Sequence, residues 1–363
     1  MVERRDGDFS GHGGAGAVTI APVKLGVGLG YWGAGPNPAT VDLIREGEAL
    51  GFDSMWTAEA YGSDALTPLA WYGSTTRALQ LGTAITQMSA RTPAATAMAA
   101  ITLDHLSGGR FILGLGVSGP QVVEGWYGQP FGKPLARTRE YVAIMRQVFA
   151  REGPVSFAGE HYPLPLPGGT GLGKPLKSTV HPLRQDIPIY LAAEGPKNVA
   201  MAAEIADGWF PFLYSPEHDQ HYRDALAEGF ARPGARHSAE DFEVALPAQI
   251  VINDDVEAAA DWIRPFIALY VGGMGARGQN FHFDVVARMG FEEEATRIQD
   301  LYLEGRKEEA IKAVPTRLVE AMAMIGPADK IRSEKSRWEN SLATTLIVHG
   351  DVSTLRTIAD IFL

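Results

Sequence analysis

Two glycine-containing loops are the features of this sequence best suited to bind a ligand. One is Gly116–Gly119 (GVSG) and the other is Ala192–Pro196 (AAEGP), and each follows a short apolar run. Glycine lets backbone N–H groups approach a ligand closely, and a helix that opens with proline directs its free N–H groups and its dipole at an anion. The two loops therefore predict a site for a phosphorylated ligand, although glycine-rich turns also form for steric reasons alone.

Glu59 and Tyr31 are the candidate catalytic side chains. Glu59 follows the second apolar run of the chain, where a carboxylate is placed for proton transfer or for a hydrogen bond to a ligand, unless it is an exposed loop acid. Tyr31 follows the first apolar run beside Trp32, and such aromatic residues can wall a planar ring, form a lid or belong to the core. His349 ends the last apolar run and is either a further catalytic candidate or an interior side chain.

The composition excludes several other kinds of chemistry. The 363 residues include no cysteine, which excludes disulfides, thiolate nucleophiles and iron–sulfur clusters. His, Asp and Glu never cluster at metal-ligand spacing, so we predict no metal site. The net charge of −11 repels phosphate backbones and anionic lipid, so neither nucleic acid nor a membrane is an expected partner.

The sequence also predicts where the protein is located. No apolar run approaches the roughly 20 residues of a membrane span, and residues 1–16 lack the apolar core of a signal peptide. We therefore expect a cytoplasmic protein.

Short apolar runs alternate with helical patterns from residue 23 to the end of the chain. Eight such pairs predict an α/β fold with a parallel sheet, closed into a (β/α)8 TIM barrel rather than left open as a doubly wound sheet. The predicted strands are Val23–Leu29, Phe52–Thr57, Leu79–Thr86, Arg110–Leu115, Ile187–Ala193, Gly208–Phe212, Phe242–Ile252 and Thr344–His349. The predicted helices are Pro38–Leu50, Thr67–Arg77, Pro93–Leu106, Lys133–Arg151, Pro196–Ala206, Pro216–Phe230, Val256–Tyr270 and Ser353–Phe362.

The domain organisation follows from this alternation. Residues 1–21 are rich in glycine and charge and predict a flexible tail, and residues 22–363 predict a single barrel domain. Two segments exceed the repeat: an insertion at about 152–185 after strand 4 and another at about 272–335 after strand 7. Long insertions in barrels usually belong to the active-site face. The second is equally well explained as a dimerisation arm.

Four segments also occur, in this order, in a known family: Gly51–Trp56 with Glu59, Leu81–Thr86, Leu103–Gly116, and Ala192–Pro196 leading to Ala206–Trp209. On these segments the chain resembles the luciferase-like monooxygenase superfamily, and most closely its branch of oxidoreductases that use the deazaflavin coenzyme F420. The resemblance implies coenzyme F420, with FMN as the alternative cofactor, a small-molecule substrate and a homodimer.

The resemblance also implies how the cofactor is held. A cis peptide between Ala84 and Ile85 would form a bulge behind the ring, and the phosphate would lie on the same two loops that the backbone argument selects. The cofactor-binding residues so implied are Glu59, Thr83, Ala84, Ile85, Val117, Ser118, Gly119, Ala192, Ala193, Glu194, Gly195 and Pro196.

Two departures from the family favour one direction of reaction. Dehydrogenases of this branch carry an Asp-His pair after strand 2, where this chain has Glu59 and Ala60, and some members carry a glutamate where this chain has Ser118–Gln121. Alcohol oxidation needs a base for the hydroxyl proton. We therefore expect a reductase that transfers a hydride from reduced F420 to a small organic electrophile, with the proton coming from Glu59, Tyr31 or water. The alternatives are an FMN-dependent monooxygenase and a non-catalytic flavin-binding barrel.

Overall fold

Eight parallel strands close into a barrel in the computed structural model of the protein, which describes residues 22–363. The strands in these residues are β1 (Lys24–Gly30), β2 (Ser54–Thr57), β3 (Gln80–Thr83), β4 (Thr86–Gln87), β5 (Phe111–Gly116), β6 (Ile189–Ala192), β7 (Gly208–Phe210), β8 (Glu243–Ile252), β9 (Ala323–Gly326) and β10 (Thr345–Val348). The barrel order is β1-β2-β3-β5-β6-β7-β8-β10, and β10 pairs with β1 to close it. The predicted (β/α)8 TIM barrel is confirmed. The predicted tail, residues 1–21, lies outside the described residues.

Helices follow the strands as the periodicity predicts, with additional short helices in the loops and the second insertion. They are α1 (Thr40–Leu50), α2 (Leu66–Gly73), α3 (Pro93–Ser107), α4 (Pro120–Val123), α5 (Pro134–Ala150), α6 (Pro196–Ile205), α7 (Gln220–Phe230), α8 (Val256–Ala268), α9 (Phe281–Val286), α10 (Glu292–Leu303), α11 (Lys307–Lys312), α12 (Thr316–Met322), α13 (Ala328–Glu339) and α14 (Val352–Phe362). Within residues 22–363, no helix combines the length and the apolar character needed to cross a membrane.

Local sequence explains where these helices begin and end. Thr92 precedes α3 and its hydroxyl accepts the N–H of Ala95, while Pro93 occupies the first helical position. The same helix ends at Gly108, whose φ of 68° lies in the left-handed region that glycine adopts freely. Such end signals are local, and the helices therefore begin close to the predicted positions.

A bulge interrupts the third barrel strand. Gly82 of β3 pairs with Ile112 of β5, and Thr86 of β4 pairs with Leu115 of β5. Between these pairs the third strand advances 86 − 82 = 4 residues and its partner advances 115 − 112 = 3, so the third strand holds one extra residue. The Ala84–Ile85 peptide in the bulge is cis, as the resemblance implies.

Large side chains fill the barrel interior and form what we call the interior cluster, which consists of Trp56, Ile112, Tyr190, Phe210, Ala245 and Ile347. The Trp56 ring packs edge-to-face on Phe210 with centroids 5.4 Å apart. Glycine at position 82 makes room for this indole, because a Cβ there would lie 2.1 Å from the ring. The barrel is thus a packed core with its mouth above it at the carboxyl ends of the strands.

The first insertion begins on the face opposite the mouth, and only its tip reaches the active-site face, where the whole segment was expected. It connects α5 to β6, and helix-to-strand connections of a barrel lie at the amino ends of the strands. At its base, Arg151 donates to the carbonyl of Ser178 at 2.9 Å. Its tip lies along α5, where the Glu140 carboxylate accepts hydrogen bonds from the backbone N–H groups of residues 160–162 at 2.8–2.9 Å. The tip thereby reaches the rim of the mouth.

The second insertion builds a helical cap, which we define as residues 256–326, beside the mouth. Strand β8 extends beyond its pairing with β10, and its last four residues, Gln249–Ile252, pair with β9. Helices α8 to α12 pack around this extension in a second apolar core that includes Ile263, Val285 and Leu318. Leu213, just after β7, belongs to the same core. These contacts attach the cap to the carboxyl ends of β7 and β8, on the active-site face.

Candidate active site

An apolar floor lies at the bottom of the mouth. Ala84 and Ile85 of the bulge and Ala192 at the end of β6 pack on the interior cluster and remain partly accessible. Gly116 makes room for Ile85, because a Cβ at that position would lie 2.8 Å from the Ile85 Cδ1. Small apolar side chains at the base of a cleft suit the face of a planar ring. The structure therefore brings together the three floor residues that the resemblance implies.

Glu59 holds the bulge from behind. Its Oε1 accepts the N–H of Gln87 at 2.7 Å and a guanidinium N–H of Arg91 at 2.7 Å, and its Oε2 accepts the N–H of Ala65 at 3.1 Å. The backbone N–H of Glu59 donates to the Ile85 carbonyl at 3.2 Å. Only 2% of the Glu59 side chain is exposed. The carboxylate is therefore placed to fix the bulge, and this burial leaves it little access to a ligand in the mouth.

Thr83 is likewise directed away from the mouth. It is fully buried, and its hydroxyl donates to the Gly114 carbonyl and accepts the Gly114 N–H, both at 2.9 Å. Because its donor and its acceptor are both used, the hydroxyl joins β3 to β5 at the last residue before the bulge. Thr83 and Glu59 are thus both supports of the bulge.

The two predicted phosphate loops lie side by side, because β5 and β6 are paired strands. Ser118 has a φ of 59°, a left-handed conformation that few residues with a side chain adopt. Gly195 caps the ten-residue α6, with Pro196 at its start and no side chain capping it. A Cβ at Gly195 would have no neighbour within 4 Å, so the backbone there borders open space. An anion in that space would meet the positive end of the α6 dipole.

His349 lies in the mouth at the end of β10. Its ring sits against Gly28 of β1, where a Cβ would come 2.5 Å from the imidazole Nε2. The side chain is open to solvent, yet the surrounding barrel walls remove enough hydration to lower the pKa of His349 below its usual range. The imidazole is therefore neutral at pH 7 and offers one donor and one acceptor to the mouth.

Three tyrosines border the mouth above the floor. Tyr31 is 45% exposed and Tyr61 is 64% exposed, on the loops after β1 and β2. Tyr270 is half-buried in a π-helical turn, Leu269–Gly273, that follows α8 in the cap. Burial, together with the nearby Tyr31 and Tyr61 phenols and the Glu194 carboxylate, raises the pKa of Tyr270 to about 12. The cap therefore comes close to the β1, β2 and β6 loops at the mouth.

A histidine of the cap contacts the second of the two predicted phosphate loops. His282 Nδ1 lies 2.9 Å from Glu194 Oε1, and only 20% and 12% of the two side chains are exposed. The His282 ring stands edge-to-face to Tyr270 at 4.9 Å and lies 5.4 Å from the Phe212 ring. No sequence pattern marks His282 as part of the site, because 88 residues separate it from Glu194. The local signal was Asn280, a good helix-capping residue that precedes the apolar segment of α9.

A cavity of about 230 Å³ lies beside the floor, between the loops after β4 and β5 and the tip of the first insertion. Val117 and Phe131 supply apolar walls, and Arg91 and Arg137 supply cationic edges. Arg91 is paired with Glu59, whereas Arg137 forms no ion pair within residues 22–363 and stacks over the Tyr162 ring at 5.9 Å. The mouth thus has an apolar side pocket with positive charge at its edge.

These features define an α/β barrel with a bulged third strand, two neighbouring glycine-containing loops and a capped mouth. The profile of the luciferase-like monooxygenase family matches residues 20–345, and the chain belongs to this family. It is 58% identical over 342 residues, 93% of this chain and 99% of the relative, to a Mycobacterium tuberculosis protein named as a coenzyme F420-dependent oxidoreductase. It is 28% identical over 295 residues, 79% of this chain and 82% of the relative, to 5,10-methylenetetrahydromethanopterin reductase of Archaeoglobus fulgidus.

The fold is also that of a solved structure, the coenzyme F420-dependent tetrahydromethanopterin reductase of Methanopyrus kandleri. The two share a TM-score of 0.77 at 24% identity, over 93% of this chain and 98% of the other. The sequence-based assignment to the luciferase-like superfamily is confirmed by the family match.

Proposed function

We propose that this protein is a coenzyme F420-dependent oxidoreductase that transfers a hydride from the reduced coenzyme to a small organic electrophile. The observation that carries the proposal is the 58% identity, over nearly the whole of both chains, to a relative named for this coenzyme. The bulge, the floor and the two loops support it, because together they offer one site for a planar ring and a phosphate.

The residues of the mouth fit such a coenzyme. Ala84, Ile85 and Ala192 would support the ring, and the backbones of Val117–Gly119 and Ala193–Pro196 would hold the phosphate. The open space at Gly195 and the helix dipole behind it favour an anion there. When bound, the reduced coenzyme supplies a hydride to the substrate.

The charged groups of the mouth favour reduction over alcohol oxidation. An alcohol requires a base whose pKa lies near the working pH. Glu59, which stands where the dehydrogenases carry their Asp-His pair, is buried in its ion pair with Arg91 and has little access to a substrate hydroxyl. A reduction needs a proton donor instead, and the sequence-based candidates that remain accessible are Tyr31 and water.

Coenzyme binding is tested by fluorescence titration with F420 and, in parallel, with FMN. We expect at least tenfold tighter binding of F420, which corresponds to about 1.4 kcal/mol. Gly195→Val should weaken F420 binding at least tenfold, because its side chain fills the space proposed for the phosphate. Gly153→Val is the matched control, since it also meets no atom within 4 Å and lies in the first insertion. Equal or tighter binding of FMN would favour the monooxygenase alternative.

Turnover separates an enzyme from a flavin-binding carrier. Reduced F420 and the protein are mixed with 2-cyclohexen-1-one, menadione or 3,4-dihydroisoquinoline, and reappearance of oxidised coenzyme is followed by absorbance. We expect oxidation of the coenzyme with at least one acceptor. A protein that binds F420 tightly but reduces none of them would support the carrier.

A further inference from the structure

We infer that His282 is the proton donor of the proposed reduction and that Glu194 positions it. The inference rests on the proposed function and assigns the cap, residues 256–326, to the chemistry of the mouth. Its starting observation is the 2.9 Å contact between His282 Nδ1 and Glu194 Oε1, which joins the cap to the loop proposed to hold the coenzyme.

Asn280 fixes the backbone of His282 in place. Its side-chain oxygen accepts the N–H groups of His282 at 3.0 Å and Phe283 at 3.3 Å, and its side-chain nitrogen donates to the carbonyls of Tyr270 at 2.9 Å and Val271 at 2.8 Å. Asn280 is itself 2% exposed. The start of α9 is thereby locked to the turn that carries Tyr270, so the imidazole is held by a rigid element.

The contact with Glu194 determines which nitrogen of His282 is available. A carboxylate only accepts hydrogen bonds, so Nδ1 carries the hydrogen of this contact. Within residues 22–363, Nε2 has no hydrogen-bond partner, and a fifth of the side chain is exposed. Nε2 is therefore the nitrogen that remains for a substrate.

Aromatic rings hold the imidazole plane on its other sides. Tyr270 stands at 90° to the ring and Phe212 at 52°. Tyr270 also lies near Tyr31 and Tyr61, on the loops after β1 and β2. The cap therefore faces the mouth, and a substrate resting on the coenzyme would lie between the floor and the cap.

The substrate carbon gains a hydride and loses its π-bond to the attached atom, which takes the proton from Nε2 of protonated His282. The hydride would come from the bound reduced coenzyme, which is the two-electron reductant of the step, and water would return a proton to the imidazole. Glu194 accepts the hydrogen bond of Nδ1 and so orients the ring with Nε2 free for the substrate, and a carboxylate binds this donor more strongly than a neutral amide does.

The experiment compares His282→Gln and Glu194→Gln with wild type, using the acceptor that the wild type reduces fastest. Asp284→Asn, an exposed position on the same helix, is the control. We expect His282→Gln to lower kcat by roughly 10²–10⁴-fold, as loss of a general acid does. Glu194→Gln should lower kcat by at least tenfold and Asp284→Asn by less than twofold. The Kd for F420, measured by fluorescence, should stay within threefold in His282→Gln and in Asp284→Asn, and added imidazole should restore part of the turnover of His282→Ala.

The outcomes separate the two levels of the proposal. A His282→Gln enzyme with kcat within threefold of wild type overturns the inference and leaves the proposed function standing. A tenfold rise in Kd for F420 with unchanged kcat also overturns it, because His282 would then only shape the coenzyme loop. Absence of F420 binding or of turnover in the wild type overturns the proposed function itself. If His282→Gln melts at a lower temperature than wild type, the inference is tested by the imidazole rescue of His282→Ala and by the kcat of Glu194→Gln. Absence of both effects would then overturn it.

Discussion

At the scale of single residues, Glu59 shows how a carboxylate at a strand end can serve the scaffold. Its three hydrogen bonds join Ala65, Gln87 and Arg91. Glu59→Gln removes the charge that Arg91 faces, so we expect the free energy of unfolding to fall by about 3–5 kcal/mol and F420 binding to weaken as the bulge loosens. Urea unfolding and coenzyme titration measure both, with the exposed Glu152→Gln as control. Unchanged stability with a hundredfold lower kcat would instead support Glu59 as the proton donor.

At the scale of elements, Asp207 at the start of β7 joins several parts of the barrel. It accepts the N–H of Ile189 at 2.7 Å and pairs with Arg146, Arg236 and His237. Burial alone would raise the pKa of Asp207, but Arg146 and the hydrogen bonds outweigh it and lower the pKa. A lowered folded-state pKa stabilises the protein above the unfolded value near 3.8, and this contribution is lost as the pH falls through the folded value.

Asp207→Asn is therefore expected to lower the free energy of unfolding by about 3–5 kcal/mol at pH 7. Urea unfolding at several pH values should show a constant difference from wild type down to about pH 5 and a smaller one below it. Asp329→Asn, whose side chain is 95% exposed, should change stability by less than about 0.5 kcal/mol. A difference that grows on acidification would contradict the assignment.

At the scale of the whole molecule, the predicted homodimer has a candidate interface on α2 and α3, which pack together. Trp71 on α2 is 73% exposed, and Met98 and Leu106 on α3 are 63% and 74% exposed. Large apolar side chains that are exposed on two packed helices are candidates for a protein–protein contact. We expect Met98→Glu to convert a dimer to a monomer in light scattering after gel filtration, with an unchanged circular dichroism spectrum. Leu172→Glu, on the first insertion, is the control; a wild-type monomer would contradict the dimer itself.

The sequence by itself determined the barrel. Each strand and helix is specified locally, because its signals act over a few neighbouring positions. These signals are the spacing of hydrophobic residues, capping residues such as Thr92 and turn glycines such as Gly108. Eight successive βα units with right-handed connections then form a parallel sheet that closes into a barrel. The two glycine loops were predictable for the same reason, since a loop that follows a strand must lie at the carboxyl end of the barrel. The bulge at Ala84–Ile85 came from the family resemblance.

Only the tertiary structure decided what the side chains of the site do. Nothing in the neighbouring sequence indicates that the Glu59 carboxylate is buried and paired. It is buried because Gln87 and Arg91, which lie 28 and 32 residues away in the chain, converge on it. His282 reaches Glu194 across 88 residues because β8 continues past the barrel and carries the cap to the mouth. The first insertion starts on the opposite face because it follows a helix. Such pairings depend on how distant elements pack, and no period or spacing within one segment encodes them.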